Sequence, residues 1–126
     1  MRILIVDDSR IMRNIVKNTL TALRYPDDIF LEAADGDQAW SILEAEEVSI
    51  LLLDWNMPGL NGLELVKKLR ATPKFQVLPI IMITSQAAKY NVIEAVKAGV
   101  DDYLVKPVNE ANLEVKLRRI LDRRPT

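Results

Sequence analysis

The sequence contains no cysteine and no histidine. Without cysteine the chain can form no disulfide and no thiolate metal site. Without histidine it has no imidazole for acid–base catalysis or metal ligation. Charge of one sign is also lacking: 17 Lys and Arg stand against 18 Asp and Glu, for a net charge of −1. That balance offers no general reason to bind nucleic acid or an anionic membrane, so neither is expected as a partner. No apolar run reaches membrane length. The first residues lead straight into Arg2-Ile3-Leu4-Ile5-Val6 with no signal-peptide pattern, and a cytoplasmic location is expected.

What remains suits one compact unit. A length of 126 residues fits a single domain, 1–126, and a hydrophobic share of 49% is enough to fill its core. Apolar runs at Ile3–Val6, Ile29–Leu31, Ile50–Leu53, Ile80–Ile83 and Tyr103–Val105 alternate with longer helix-like stretches. Three of these runs are continuous in Ile, Leu, Val and Met, without polar alternation. That pattern predicts strands buried on both faces, as in a parallel sheet.

Between the runs, helical spacing recurs. Met12, Ile15, Val16, Leu20 and Leu23 predict one helix, with Ser9 as its N-cap. Gly36 to Ala45 predicts a second, and Leu63, Val66, Lys67 and Leu69 open a third after Gly62. Ala87 to Ala98 predicts a fourth, closed by Gly99 as a C-cap. Asn109 can cap a fifth, with Leu113, Leu117, Ile120 and Leu121 toward the core. Five βα units imply a parallel sheet with right-handed crossovers and helices on both faces.

The chemistry lies at the ends of the strong strands. The first run is followed by Asp7-Asp8, the third by Asp54, the fourth by Thr84 and the fifth by Lys106. In an open parallel sheet these positions share the carboxyl edge, where ligands bind. Any one of them alone reads as a turn residue or a helix cap; the set reads as one site. Carboxylates roughly 5 Å apart at an effective dielectric of about 20 repel by about 3 kcal/mol per pair. A hard cation such as Mg²⁺ offsets that repulsion and needs only a few carboxylate oxygens. A carboxylate can then attack phosphorus to give an acyl phosphate, with the ammonium and the cation neutralising the phosphoryl oxygens.

Asp7-Asp8, Asp54-Trp55-Asn56-Met57-Pro58-Gly59, Thr84-Ser85 and Lys106-Pro107 together resemble the signature of response-regulator receiver domains. The resemblance runs from about Arg2 to Leu121. The segment from Asp54 to Lys67, with Met12-Arg13 and Tyr103 to Pro107, is most similar to chemotaxis members of that family. It implies an α/β, flavodoxin-like (βα)5 fold with strand order 2-1-3-4-5. It implies Asp54 as phosphoacceptor; Asp8, Asp54 and the Asn56 carbonyl as Mg²⁺ ligands; and Asp7 holding the ion through water. Lys106, before a cis Pro107, and Thr84 would bond the phosphoryl group, and the small Ser85 would leave access open. Tyr103 would be an aromatic switch. Lys116, Val92, Val105 and the neighbourhood of Lys89 would form the partner face. Asn56 and Gln86 match positions that tune dephosphorylation.

The same resemblance implies a two-component, phosphorelay role, with a CheA-like histidine kinase or a phosphotransfer protein as donor. A phosphatase and a flagellar motor switch protein are further implied partners, and the chain is expected to be a monomer and not an enzyme toward other substrates. A phosphorelay intermediate or a receiver excised from a longer regulator are alternatives.

Two other classes fit less well. A flavin mononucleotide binder needs a Gly/Ser/Thr loop after the first strand, where this chain has Asp7-Asp8. A haloacid-dehalogenase-like phosphohydrolase places two aspartates two positions apart there, whereas those of this chain are adjacent. Gly59 and Gly62 read as turn glycines, Trp55 as half-exposed beside the site, and Trp40 as without function. Arg118, Arg119, Arg123 and Arg124 suit a helix C-terminus.

Overall fold

The structure, a computed structural model, describes residues 1–57, 59–85 and 89–122, and of residues 89–91 the backbone only. Pro58, Gln86, Ala87, Arg123 and Arg124 lie outside the described residues, as does the Lys89 side chain. Strands β1 (Ile3–Val6), β2 (Phe30–Ala33), β3 (Ile50–Asp54), β4 (Ile80–Thr84) and β5 (Asp102–Val105) alternate with helices α1 (Arg10–Ala22), α2 (Gly36–Ala45), α3 (Gly62–Arg70), α4 (Lys89–Ala98) and α5 (Glu110–Asp122). All strand pairings are parallel, and the order is β2-β1-β3-β4-β5. The chain reverses direction across the sheet between β1 and β3, which is where such sheets open a crevice at their carboxyl edge.

The central strands carry no polar alternation because both faces are covered. Every residue of β1, β3 and β4 is buried. Leu4, Val6, Leu51, Leu53, Ile80 and Met82 pack on one face with Leu43 of α2 and Leu65, Val66 and Leu69 of α3. Ile3, Ile5, Leu52, Ile81 and Ile83 pack on the other with Val16 and Leu20 of α1 and Leu113, Leu117 and Ile120 of α5. Each fully buried Ile or Leu contributes about 2 kcal/mol of transfer free energy. The outer strands are less enclosed: β2 and β5 each bury only one residue.

Helix ends follow local chemistry. The Ser9 hydroxyl accepts from Met12 N at 3.2 Å and opens α1. Asn109 and Asn112 cap α5 reciprocally, each side-chain oxygen accepting from the other's backbone N–H at 2.9 Å. Gly99 follows α4 at φ +115°, a conformation that side chains disfavour.

Three boundaries and faces differ from expectation. β2 starts at Phe30, because Asp27–Ile29 forms a 3₁₀ turn, and it runs on to Ala33. β5 begins one residue earlier, at Asp102. In α1, Val16 and Leu20 are the buried residues, whereas Ile15 is 38% exposed. The i, i+4 pair at 16 and 20 faces the sheet, and position 15 is rotated about 100° away from 16.

Candidate functional site

Asp7 directly follows β1 and Asp54 ends β3, so their backbones are fixed by two strands buried along their whole length. Ligand oxygens of Asp7, Asp8 and Asp54 all lie within 4.8 Å of one another. Asp7 and Asp54 are buried and Asp8 is exposed. Lys106, from the end of β5, reaches across the edge: its Nζ lies 3.2 Å from Asp7 Oδ2 and 3.5 Å from Asp54 Oδ1. One ammonium among three carboxylates leaves excess negative charge at the mouth of the site.

The electrostatics follow. Burial pushes the Asp54 carboxyl up from 3.8 to about 6; the Asp7 charge adds to this, Lys106 opposes it, and Asp8 adds further. A hard cation at the same oxygens reverses the logic, favouring the carboxylates and cancelling their repulsion. Three carboxylates from rigid strand ends, with one side open to water, form a donor set that fits Mg²⁺.

Asp7 is held on every polar atom. Its N donates to Ala33 O at 3.1 Å, and its Oδ1 accepts from Ser9 N at 2.9 Å. Its Oδ2 faces Lys106, and its carbonyl accepts from Arg13 Nη1 at 2.7 Å. Arg13 Nε donates to Glu32 on β2 at 3.0 Å, and Lys17 Nζ meets the other Glu32 oxygen at 2.9 Å. Burial alone would raise the Glu32 carboxyl, but the bonds from Lys17 and Arg13 outweigh it and hold it below its usual range.

Thr84 is buried at the end of β4, opposite Val105 in register, and its carbonyl accepts from Lys106 N at 2.8 Å. That bond ties the residue before Pro107 to the strand edge, and the Lys106–Pro107 bond is cis, as expected. Asn56 is exposed two residues beyond Asp54, and Trp55 beside it is half-buried. Gly62 N donates to Trp55 O at 2.9 Å, drawing the loop back over β3. A Cβ at Gly62 would meet Trp55 Cα at 3.0 Å and the Asp54 carbonyl, so the close turn requires glycine. Trp40 packs edge-on against Phe75, with Lys68 over its ring, away from the acidic edge.

A second cluster forms on the outer side of β5. Lys116 Nζ lies 3.0 Å from Asp102 Oδ1 and 5.3 Å from the Tyr103 ring centre. Arg119 reaches the other Asp102 oxygen at 3.3 Å, while Arg118 pairs with Glu114. Tyr103 and Val92 are half-buried, and Ile93 and Val96 of α4, Val105 of β5 and Val115 of α5 are exposed. Asp102, Arg13 and Glu32 were not singled out as site residues by sequence reasoning. Arg13 entered only as part of a family-like dipeptide, and neither partner carboxylate carried a motif of its own.

Residues 3–118 match the family described as the response regulator receiver domain. The chain belongs to that family. Receivers of this kind are phosphoacceptor switches of two-component signalling. This one is 52% identical over 122 residues to the chemotaxis protein CheY homolog of Campylobacter jejuni, covering 96% of this chain and 92% of that protein. It is 51% identical to the chemotaxis protein CheY1 of Helicobacter pylori, covering 96% and 97% respectively. These relatives support chemotaxis control as its function. Among solved receivers, a Vibrio cholerae CheY4 structure superposes with TM-score 0.84 at 32% identity, over 94% of this chain and 97% of that one. The receiver domain of the sensor histidine kinase PA1611 from Pseudomonas aeruginosa gives TM-score 0.84 at 30% identity, over 96% and 97%, and holds a magnesium ion coordinated in its active site cleft. Among the described residues of this receiver, no helix is long and apolar enough to cross a membrane.

Proposed function

We propose that residues 1–126 work as one chemotaxis switch, phosphorylated on Asp54 by a histidine kinase. The observation that carries this reading is the buried Asp54 carboxylate, set between Asp7, Asp8 and Lys106 at the open edge of the sheet. Asp8, Asp54 and the Asn56 carbonyl would hold Mg²⁺ directly, with Asp7 acting through water. When bound, Mg²⁺ supplies the positive charge that lets an anionic phosphoryl group approach three carboxylates. These 126 residues hold no histidine, so a phosphohistidine donor must lie outside them.

Asp54 attacks phosphorus with one carboxylate oxygen, and the bond from phosphorus to the donor nitrogen breaks. The nitrogen keeps the electron pair and Asp54 becomes an acyl phosphate. The Lys106 ammonium, already within 3.5 Å of Asp54, neutralises charge on the phosphoryl oxygens. The Thr84 hydroxyl donates to one of them. The reaction is confined to the chain's own Asp54, so the protein is a switch and not an enzyme toward other substrates.

The output follows from the face around Tyr103. Phosphorylation draws Thr84 inward and opens space for the Tyr103 ring, favouring one of two packings of α4, β5 and α5. A flagellar motor switch protein would read the face made by Tyr103, Lys116 and Val92, and a phosphatase would reset Asp54. All of these are cytoplasmic partners. Acetyl phosphate with Mg²⁺ should add one phosphoryl group that is labile to hydroxylamine and base, and Asp54→Asn should abolish it. Stable incorporation on a serine or threonine would overturn the assignment.

A further inference from the structure

Arg13 touches none of the reacting groups, yet it is bonded to the backbone that carries two of them. Its Nη1 donates to the Asp7 carbonyl at 2.7 Å and its Nε donates to Glu32 at 3.0 Å. The Asp7 carbonyl belongs to the peptide plane that leads into Asp8, and rotation of that plane moves the Asp8 carboxylate. Asp8 is exposed and its side chain has no hydrogen bond or ion pair among the described residues, so the backbone is what places its Cβ and the arc its carboxylate can reach. Arg13 is only 15% exposed on its side chain, and its planar fork lets Nε and Nη1 bind two acceptors at a fixed angle. Glu32 lies on β2, the outer strand beside β1, and Lys17 braces it from the other oxygen.

We propose that Arg13, oriented by Glu32, is a positioning residue that sets the Asp7-Asp8 peptide plane and thereby the Mg²⁺ affinity of the acidic site. The inference rests on the Mg²⁺ reading of that site. Residues that orient metal ligands typically change metal affinity by about tenfold or more when removed. The effect should fall on metal binding rather than on transfer once metal is saturating, because Arg13 reaches neither Asp54 nor Lys106.

The test is Mg²⁺ titration of the full chain by Trp55 fluorescence, with acetyl-phosphate labelling measured across the same Mg²⁺ range. Wild type should show a saturable response that Asp8→Asn abolishes; no response in wild type would defeat the Mg²⁺ reading itself. Given that response, Arg13→Gln should weaken apparent Mg²⁺ affinity by about tenfold while the labelling rate at saturating Mg²⁺ stays close to wild type. Arg13→Lys, which can reach only one of the two acceptors, should recover part of the affinity. Glu32→Gln, which keeps Arg13 in place but weakens its anchor, should give an intermediate loss. A folded Arg13→Gln with a lowered melting temperature and wild-type Mg²⁺ affinity would show a structural role only and overturn the proposal.

Discussion

In the proposed reading Asp54 acts as a nucleophile at neutral pH, in a place that disfavours its charge. It is 7% exposed and two more carboxylates lie beside it; its carboxyl is raised from 3.8 to about 6, chiefly by burial. A raised carboxyl means that the folded chain binds this proton more readily than the unfolded chain between about pH 4 and 6. Without metal, the contribution of Asp54 to stability should therefore fall as pH rises through that window, by roughly 3 kcal/mol for a shift of this size. Asp54→Asn should flatten this part of the profile and raise the melting temperature in EDTA at pH 7. Mg²⁺ should raise the melting temperature of wild type and move Asp54→Asn much less. Thermal melts across pH, with EDTA or Mg²⁺, check both. Glu32, held below its usual range, adds stability as pH rises over the same window, so the difference between wild type and Asp54→Asn carries the test. No fall of wild type relative to Asp54→Asn between pH 4 and 6 in EDTA would show that the acidic cluster is not strained.

At the scale of elements, the decisive pairing is β5 with α5. Lys116 is not a free cation on the surface: it is engaged with Asp102 and lies over the Tyr103 ring. Any inward movement of Tyr103 leaves that ammonium without the ring beneath it, so the ring and the cation should respond to phosphorylation together. Tyr103→Ala should leave the rate of Asp54 labelling almost unchanged and reduce phosphorylation-dependent partner binding. Lys116→Glu sets a carboxylate against Asp102 and should weaken partner binding in both states, by about fivefold, the scale of one part-exposed charge contact. Titration of a motor-switch partner against phosphorylated and unphosphorylated protein separates the two effects.

These elements also show what was legible in the sequence. β1, β3 and β4 were readable because a strand covered on both faces has no polar alternation to confuse it. The ends of β2 and β5 shifted by a residue or more because outer strands bury little, so their limits depend on turns such as Asp27–Ile29. Helical spacing picked out Ile15 together with Val16 and Leu20, because the period alone does not say where the buried stripe is centred; the sheet selected Val16 and Leu20. At the site, Asp7, Asp8, Asp54 and Lys106 could be anticipated because each follows a strand and parallel topology brings strand ends together. The links from Arg13 to Glu32 and from Lys116 to Asp102 span 19 and 14 residues. They depend on side-chain reach across a helix–strand boundary, which no local period reports.

For the whole molecule, the acidic site and the proposed output face lie on different parts of one sheet, joined by backbone. Lys106 N bonds Thr84 O, Thr84 stands opposite Val105, and Tyr103 lies two residues back along the same strand. In the proposed reading, a change at Asp54 is passed through β4 and β5 to Lys116 along these bonds. Phosphorylation drives the switch only if the phosphoryl group favours one packing over the other. The most direct measurement is amide chemical-shift mapping of wild type and Asp54→Asn with Mg²⁺ and a beryllofluoride mimic of the phosphoryl group. The account predicts shifts in wild type at Asp7, Asp8, Asp54 and Lys106 that continue to Tyr103 and Lys116, and none of this pattern in Asp54→Asn. Shifts in wild type confined to the loops around Asp54, never reaching Tyr103 or Lys116, would contradict it.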